Sequence, residues 1–273
     1  MTDFERVKGY YQYFDEDQRL SNDNSGRLEY EMTMKKLLKN LPASGTILDL
    51  GGATGVYAFP LAEMGYRVYL ADLSERLIQL AREKKEQRNT HNLISCDIVN
   101  AIDLSLYPDD QFDVVLLFGP LYHLLDAKER HQCVSEIRRV LKPDGMVFAS
   151  FIPYLSGSIA IVDRYFRSPD QVGLENLREV FSSGRFNNNA QWGFQEGYYP
   201  TSDEIVELFE GHRFMTIQVS SIRGFAYEKE DQIDSIQDAG MLEEIKRLIE
   251  ETSELKEIVE MCGHAMYIGR RKP

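Results

Sequence analysis

The stretch Ile47-Leu48-Asp49-Leu50-Gly51-Gly52-Ala53-Thr54-Gly55 decides the fold. Its first half, with Thr46 in front, is a short apolar run of the kind that forms a strand buried on both faces. Its second half is a loop of small residues. A strand that runs into a glycine loop and then into a helix is the usual place where an open parallel sheet holds a nucleotide-like ligand.

Outward from this stretch, strands and helices alternate. Upstream, Ser25 to Leu41 reads as a helix ended by Pro42. Downstream, "VYAFPLAEMG" reads as a helix stopped by Gly65, and Tyr66 to Leu73 as a second strand. Ser74 is an N-cap for "ERLIQLAREKKEQ". Asn92 to Asp97 is a weaker third strand, and Phe112 to Phe118 is the strongest strand pattern in the chain. "AKERHQCVSEIRRVL" has Val134, Ile137 and Leu141 at helical spacing. Lys142 to Gly145 ("KPDG") reads as a turn, because Pro fixes φ and Gly permits positive φ. Met146 to Ile152 is a fifth strand. Such alternation implies a parallel sheet with right-handed crossovers. After Ile152 the regularity lapses into an aromatic-rich segment, 153–200. A helix restarts at "TSDEIVELFE", where Thr201 and Glu204 have capping-box spacing. Arg213 to Ile222 is another strand, 224–261 is charged and mostly helical, and His264 to Arg271 is a closing strand.

Composition narrows the function. With 43% hydrophobic residues in 273, the chain can bury a sizeable core. Against 31 basic residues stand 44 acidic ones, a net charge of −13, which argues against a surface for nucleic-acid phosphates. Cys96, Cys133 and Cys262 lack metal-ligand or disulfide-framework spacing and suggest a reduced, cytoplasmic protein with no metal site. The N-terminus shows no apolar signal segment. The longest uncharged stretch, Gly145 to Val162, contains Pro153 and Ser156-Gly157-Ser158. It reads as a buried strand running into a loop, and no membrane span is expected.

Three ligands compete for the glycine loop. A P-loop needs Gly-Lys-Ser/Thr, and no Lys follows Gly55; the dinucleotide pattern G-x-G-x-x-G does not fit Gly51 to Val56. In D/E-x-G-x-G-x-G, whose ligand is S-adenosylmethionine (SAM), Asp49, Gly51 and Gly55 match, and Ala53 departs at the middle glycine. SAM carries no phosphate, which suits a loop without basic neighbours. At this point the chain resembles the class I SAM-dependent methyltransferases. "ILDLGGATG", "YLADLS", "DVVLLFGPLYHLL" and "EIRRVLKPDGMV" occur in the order which that family shows. The likeness is good over 25–152 and loose beyond. "GPLYHLL" and "GHAMYIGRR" look like a bacterial subgroup of small methyltransferases.

The resemblance implies an α/β, Rossmann-like, seven-stranded sheet with the last strand antiparallel and helices on both faces. It implies one domain over 1–273: an N-terminal cap (1–28), a SAM-binding core (25–152), lid insertions (153–200 and 224–261), and a closing helix and strands (201–223 and 262–273). In the cofactor site, Asp49 would order the loop of Gly51, Gly52 and Gly55 and meet the SAM amino group. Asp72, at the end of the second strand, would accept from the ribose hydroxyls, with Leu73 beside the adenine. Asp97 would accept from the adenine amino group, with Ile98 packed nearby. Phe118 and Gly119 lie at the same rim. Tyr10, Tyr11, Tyr13 and Phe14 would fold over the cofactor, and Arg19 or Arg27 would pair with its carboxylate. Against each stands an ordinary reading: helix-terminal charge, turn glycine, packing aromatic.

Two of the five histidines, His123 past Phe118 and His264 opening the last strand, converge on the expected reaction site. Methyl transfer mainly requires alignment of nucleophile, carbon and sulfur, and a base only if the acceptor arrives protonated. A neutral imidazole near pH 7 suits that role. The expected function is methyl transfer from SAM to a small-molecule acceptor, leaving S-adenosylhomocysteine (SAH). The rivals are an RNA or protein methyltransferase and a SAM-binding regulator without catalysis.

Overall fold

The computed structural model describes residues 1–14, 16–170, 172–190 and 194–273. Two helices, α1 (Phe4–Tyr11) and α2 (Asn24–Asn40), precede β1 (Thr46–Leu50). Then follow α3 (Ala58–Glu63), β2 (Arg67–Asp72), α4 (Glu75–Arg88), β3 (Leu93–Ile98), β4 (Phe112–Phe118), the one-turn α5 (Pro120–His123), α6 (Ala127–Val140) and β5 (Leu141–Phe151). The second half holds α7 (Tyr154–Arg167), α8 (Leu174–Ser183), the hairpin β6 (Arg185–Asn187) and β7 (Glu196–Tyr198), α9 (Ser202–Gly211) and β8 (Phe214–Ser221). It ends with α10 (Glu230–Asp234), α11 (Ala239–Thr252), α12 (Lys256–Val259) and β9 (Ala265–Arg271).

Seven strands form one sheet in the order β3-β2-β1-β4-β5-β9-β8. β1 to β5 are parallel, and β9 runs antiparallel to both β5 and β8. Strand alternation sorts the core into two layers. Ile47, Val114, Leu116 and Phe148 face α2 and α3, whereas Leu48, Leu50, Val115 and Leu117 face α6 and α9. The strand order reverses direction around β1 and β4, so a crevice opens beyond their carboxyl ends.

Two local expectations need correction. Lys142 to Gly145 do not leave the sheet as a turn. They form an irregularity inside β5, whose register against β4 steps from Phe112↔Leu141 to Val114↔Met146. Asp144 takes the positive φ (63°), and Gly145 is needed because a Cβ there would lie 2.8 Å from the Lys142 carbonyl oxygen. The segment after Pro153 is helix α7, not loop. Its small residues are contact residues: Ser156 and Ser158 are buried, and a Cβ on Gly157 would lie 2.4 Å from the Tyr199 ring. Tertiary packing overrides the loop-forming tendency of the Ser-Gly-Ser run.

No helix among the described residues is long and apolar enough to cross a membrane. The three cysteines are unpaired and buried.

Candidate active site

A cleft lies over the carboxyl ends of β1, β2, β3 and β4, with His264, just before β9, at one end. It encloses about 1000 Å³ of space, part of it continuous with solvent. Its floor is the loop after β1, its sides are the chain leaving β2, β3 and β4, and its cover is α1 with the segment that follows. Tyr11, Arg19, Gly51, Asp72, Leu73, Phe118, Gly119, His123 and His264 all line it.

The floor is fixed by steric fit. Gly51 has φ +78°, and a Cβ there would meet the Pro120 ring at 2.5 Å, so the loop packs flush against the turn after β4. At Gly52 a Cβ would lie 2.5 Å from the Asp49 carboxyl carbon and 2.4 Å from Leu70. Asp49 is therefore wedged beneath the loop. It is fully buried and does not line the cleft, and the Ala58 N–H is the one donor that opposes its burial among the described residues. Burial, reinforced by the charge of Asp72, pushes its carboxyl up to about 7. Ala53, at the middle-glycine position, takes the left-handed φ of +50°, a conformation that costs an alanine about 1 kcal/mol. Its N–H donates to Asp72 Oδ2 at 2.9 Å, and the Ser74 N–H donates to Oδ1 at 2.8 Å. Asp72 faces the cleft, and burial raises its carboxyl to about 6 although those two N–H groups oppose the shift.

Besides Asp49 and Gly52, which lie beneath the loop, four expected site residues do not line the cleft. Asp97 and Ile98 do not line the cleft. The Asp97 carboxylate accepts from the hydroxyls of Ser95 (2.5 Å) and Tyr107 (3.0 Å), and Ile98 is half-exposed. β3 runs to Ile98 in register with Asp72, so the chain turns across the rim only afterwards, and Val99, Asn100 and Ala101 line that wall instead. Arg27 lies exposed in the first turn of α2, bonded to the Ser21 carbonyl and Asn24, outside the cleft. Gly55 (φ +89°) sits behind the loop against Phe59. Of the N-terminal aromatics, Tyr11 lines the cleft, Tyr10 stacks on Phe14, and Tyr13 points to solvent.

The two insertions do not line the cleft with any described residue. They brace its cover. Arg6 of α1 donates to Asn187, the Asn188 carbonyl and Gln195, and the Asp3 N–H donates to Glu196. On the other flank, Lys35 and Glu31 of α2 pair with Glu250 and Lys246 of α11.

The histidines differ in their surroundings. His123 is buried, and its Nε2 lies 2.9 Å from the Tyr11 hydroxyl. Burial pushes its imidazole down to about 4, so it is neutral at physiological pH and latches α1 over the cleft. His264 is in ring contact with Tyr122 (6.0 Å between centroids), and its Nδ1 lies 3.0 Å from Glu29 Oε2. Glu29, on α2, also accepts from Arg19 at 2.9 Å. Arg19 in turn donates to Glu16 at 2.7 Å. Sequence reasoning missed Glu29, although it falls on the buried stripe of α2 with Met32, Thr33 and Leu37. An acid on an apolar helical stripe is the signal that could have found it.

Residues 48–149, the segment from β1 to β5, match the family model of a methyltransferase domain. The chain is 32% identical over 115 residues to the ubiquinone/menaquinone biosynthesis C-methyltransferase UbiE of Hydrogenovibrio crunogenus (40% of this chain, 43% of that one). It is 34% identical over 108 residues to the demethylmenaquinone methyltransferase of Clavibacter sepedonicus (39% and 41%). These matches span less than half the length of either relative. The PH0226 protein of Pyrococcus horikoshii superposes with a TM-score of 0.63 at 19% identity, over 96% of this chain and 98% of that one, a likeness of fold. The matched segment is the one whose strand ends build the cleft, so the similarity to methyltransferase domains falls on the part of the chain that carries the candidate site.

Proposed function

We propose that the protein transfers a methyl group from SAM to a small-molecule acceptor. The observation that carries this reading is the covered cleft, with a carboxylate, Asp72, on its strand-end floor and a histidine, His264, at its far end. The residues fit the cofactor. Asp72 uses each oxygen once, and each retains capacity for a ribose hydroxyl. The buried Asp49 carboxylate lies directly beneath the loop at Gly52, where the SAM amino group would offset its charge through the loop. Leu73 and Val99 supply apolar walls for the adenine, and Arg19 is the guanidinium within the cleft for the carboxylate. When bound, SAM supplies a methyl group already activated on a sulfonium, so the protein's task is alignment and exclusion of water. The whole chain works as one unit in this reading, with 1–28 as cap and both insertions as braces. A braced cover over the cleft suits a small acceptor. The buried thiols suit a reducing, cytoplasmic setting.

The test is SAH formation from SAM with a metabolite extract, beside RNA and protein fractions from the same cells. Product with the small-molecule fraction alone supports the reading. Product only with a macromolecular fraction, or SAM binding without turnover on any fraction, overturns it in favour of the corresponding rival.

The raised carboxyls give a second expected result. In the free protein, stability from Asp49 and Asp72 is fully present below about pH 4 and is lost as pH rises through about 6 to 7, because the folded state then buries charge. A ligand that brings donors to these groups favours their charged forms. SAM affinity therefore rises from pH 5.5 to 7.5, by about 10-fold for one shift of a pH unit, and then levels off. At pH 6.5 binding releases protons, which calorimetry in two buffers of different ionisation enthalpy detects. Binding with no proton release and no pH dependence would remove both carboxylates from the cofactor site.

A further inference from the structure

We infer that Glu29 is the positioning residue for a general base, His264, and that the acceptor arrives with a proton on its nucleophilic oxygen or nitrogen. This rests on the methyltransferase reading and adds to it the residue that orients the base and the class of acceptor. Glu29 is buried in α2 and is ionised. Burial opposes its charge; His264 lowers its carboxyl most when the ring is protonated, and Arg19 and Arg223 act in the same direction while the ring is neutral. An ionised carboxylate only accepts hydrogen bonds, so the 3.0 Å contact requires the proton of His264 to sit on Nδ1. The lone pair of the neutral ring then lies on Nε2. That nitrogen has no hydrogen-bond partner among the described residues, and His264 lines the cleft.

A purely structural ion pair would not need the histidine. Glu29 already has Arg19 (2.9 Å) and Arg223 (3.6 Å), and Arg223 has Glu230 (2.6 Å). Arg19 has Glu16 as well. The charges around Glu29 thus come from the segment before α2, from the chain after β8 and, through Arg223, from α10. With His264 neutral, the two guanidiniums face three carboxylates, so the cluster tolerates one further positive charge. It is therefore poised to accept a proton on the imidazole. Tyr57, Phe118 and Tyr122 line the same end of the cleft, a wall suited to a flat, neutral acceptor.

The step balances as follows. The acceptor's O–H or N–H proton passes to His264 Nε2. A lone pair on the acceptor oxygen or nitrogen forms the new bond to the methyl carbon as that proton leaves (for an amine, from the developing ammonium), and the broken carbon–sulfur bond leaves its pair on sulfur. The imidazolium, stabilised by Glu29, returns its proton to solvent.

The first measurement needs no ligand. In the ¹⁵N spectrum of the free wild-type protein with its imidazoles neutral, the Nδ1–H tautomer of His264 is expected; an Nε2–H tautomer would overturn the proposal alone. The second compares Glu29→Gln with the wild type, using a panel of simple phenols and aromatic amines with SAM. One amide oxygen cannot serve three cationic donors. The variant is expected to lose the tautomer preference and about 10- to 100-fold in kcat, with SAH affinity kept within about threefold. The acidic limb of its kcat/KM profile moves to lower pH, since the imidazolium has lost its counter-charge. Glu29→Asp restores part of the rate. Equal losses of SAH affinity and turnover, or an unmoved pH limb, would reduce Glu29 to a structural ion pair and overturn the proposal. No SAH formation by a wild type that still binds SAH would sink the methyltransferase reading and this proposal with it.

Discussion

Asp72→Ala is expected to raise the dissociation constant for SAH by about 100-fold, equivalent to about 2.8 kcal/mol. The figure corresponds to losing one or two charge-assisted hydrogen bonds to the ribose, each worth about 1.5–3 kcal/mol. The effect on folding should be smaller because two contributions oppose. The variant leaves the N–H groups of Ala53 and Ser74 without their acceptor, yet it also removes a carboxylate that burial has raised to about 6. Asp72→Asn provides the control. Its side-chain oxygen can still receive one loop N–H, so loop geometry is largely kept while the charge is lost. Titration calorimetry and thermal melting on both variants separate binding from folding. Unchanged SAH affinity in folded Asp72→Ala would remove Asp72 from the cofactor site.

Much of this arrangement was legible in the sequence, for identifiable reasons. β1 and β4 match the expected spans because unbroken apolar runs between turn residues leave no other way to bury both faces. The Ser74 cap and the Thr201–Glu204 capping box form as their spacing predicts. What escaped was set by neighbours distant in sequence. Ser156-Gly157-Ser158 lies within a helix, and Gly157 is required there because the Tyr199 ring occupies the space of a Cβ. Asp97 turns from the cleft because Tyr107, ten residues on, offers its hydroxyl. The expected role of the insertions as lids rested on topology alone. Among the described residues they hold α1 and α2 in place, while those helices and the segment between them form the cover. Glu29 escaped because an acid in a helix reads as solvated unless its place on the buried stripe is counted.

The same reasoning separates the two histidines, which the sequence left equivalent. His264→Ala is expected to lower kcat by about 100- to 1000-fold, within the usual range for loss of a general base, while SAH affinity changes less than about threefold. β9 is antiparallel, so its start lies at the rim where the parallel strands end, and His264 reaches the cleft from the side of β5. Its side chain is about one-fifth exposed, enough to meet an acceptor, and Glu29 holds it by Nδ1. His123 has neither property. It is buried, its Nε2 is engaged by Tyr11, and an imidazole lowered to about 4 is a poor proton acceptor at neutral pH. His123→Ala should instead free Tyr11 and loosen α1, so it should weaken SAH binding and turnover together. The two variants, measured side by side for SAH affinity and for turnover with one acceptor, have opposite signatures. Equal losses of affinity and rate in His264→Ala, or full turnover, would move His264 out of the acceptor site and leave Glu29 without a base to orient.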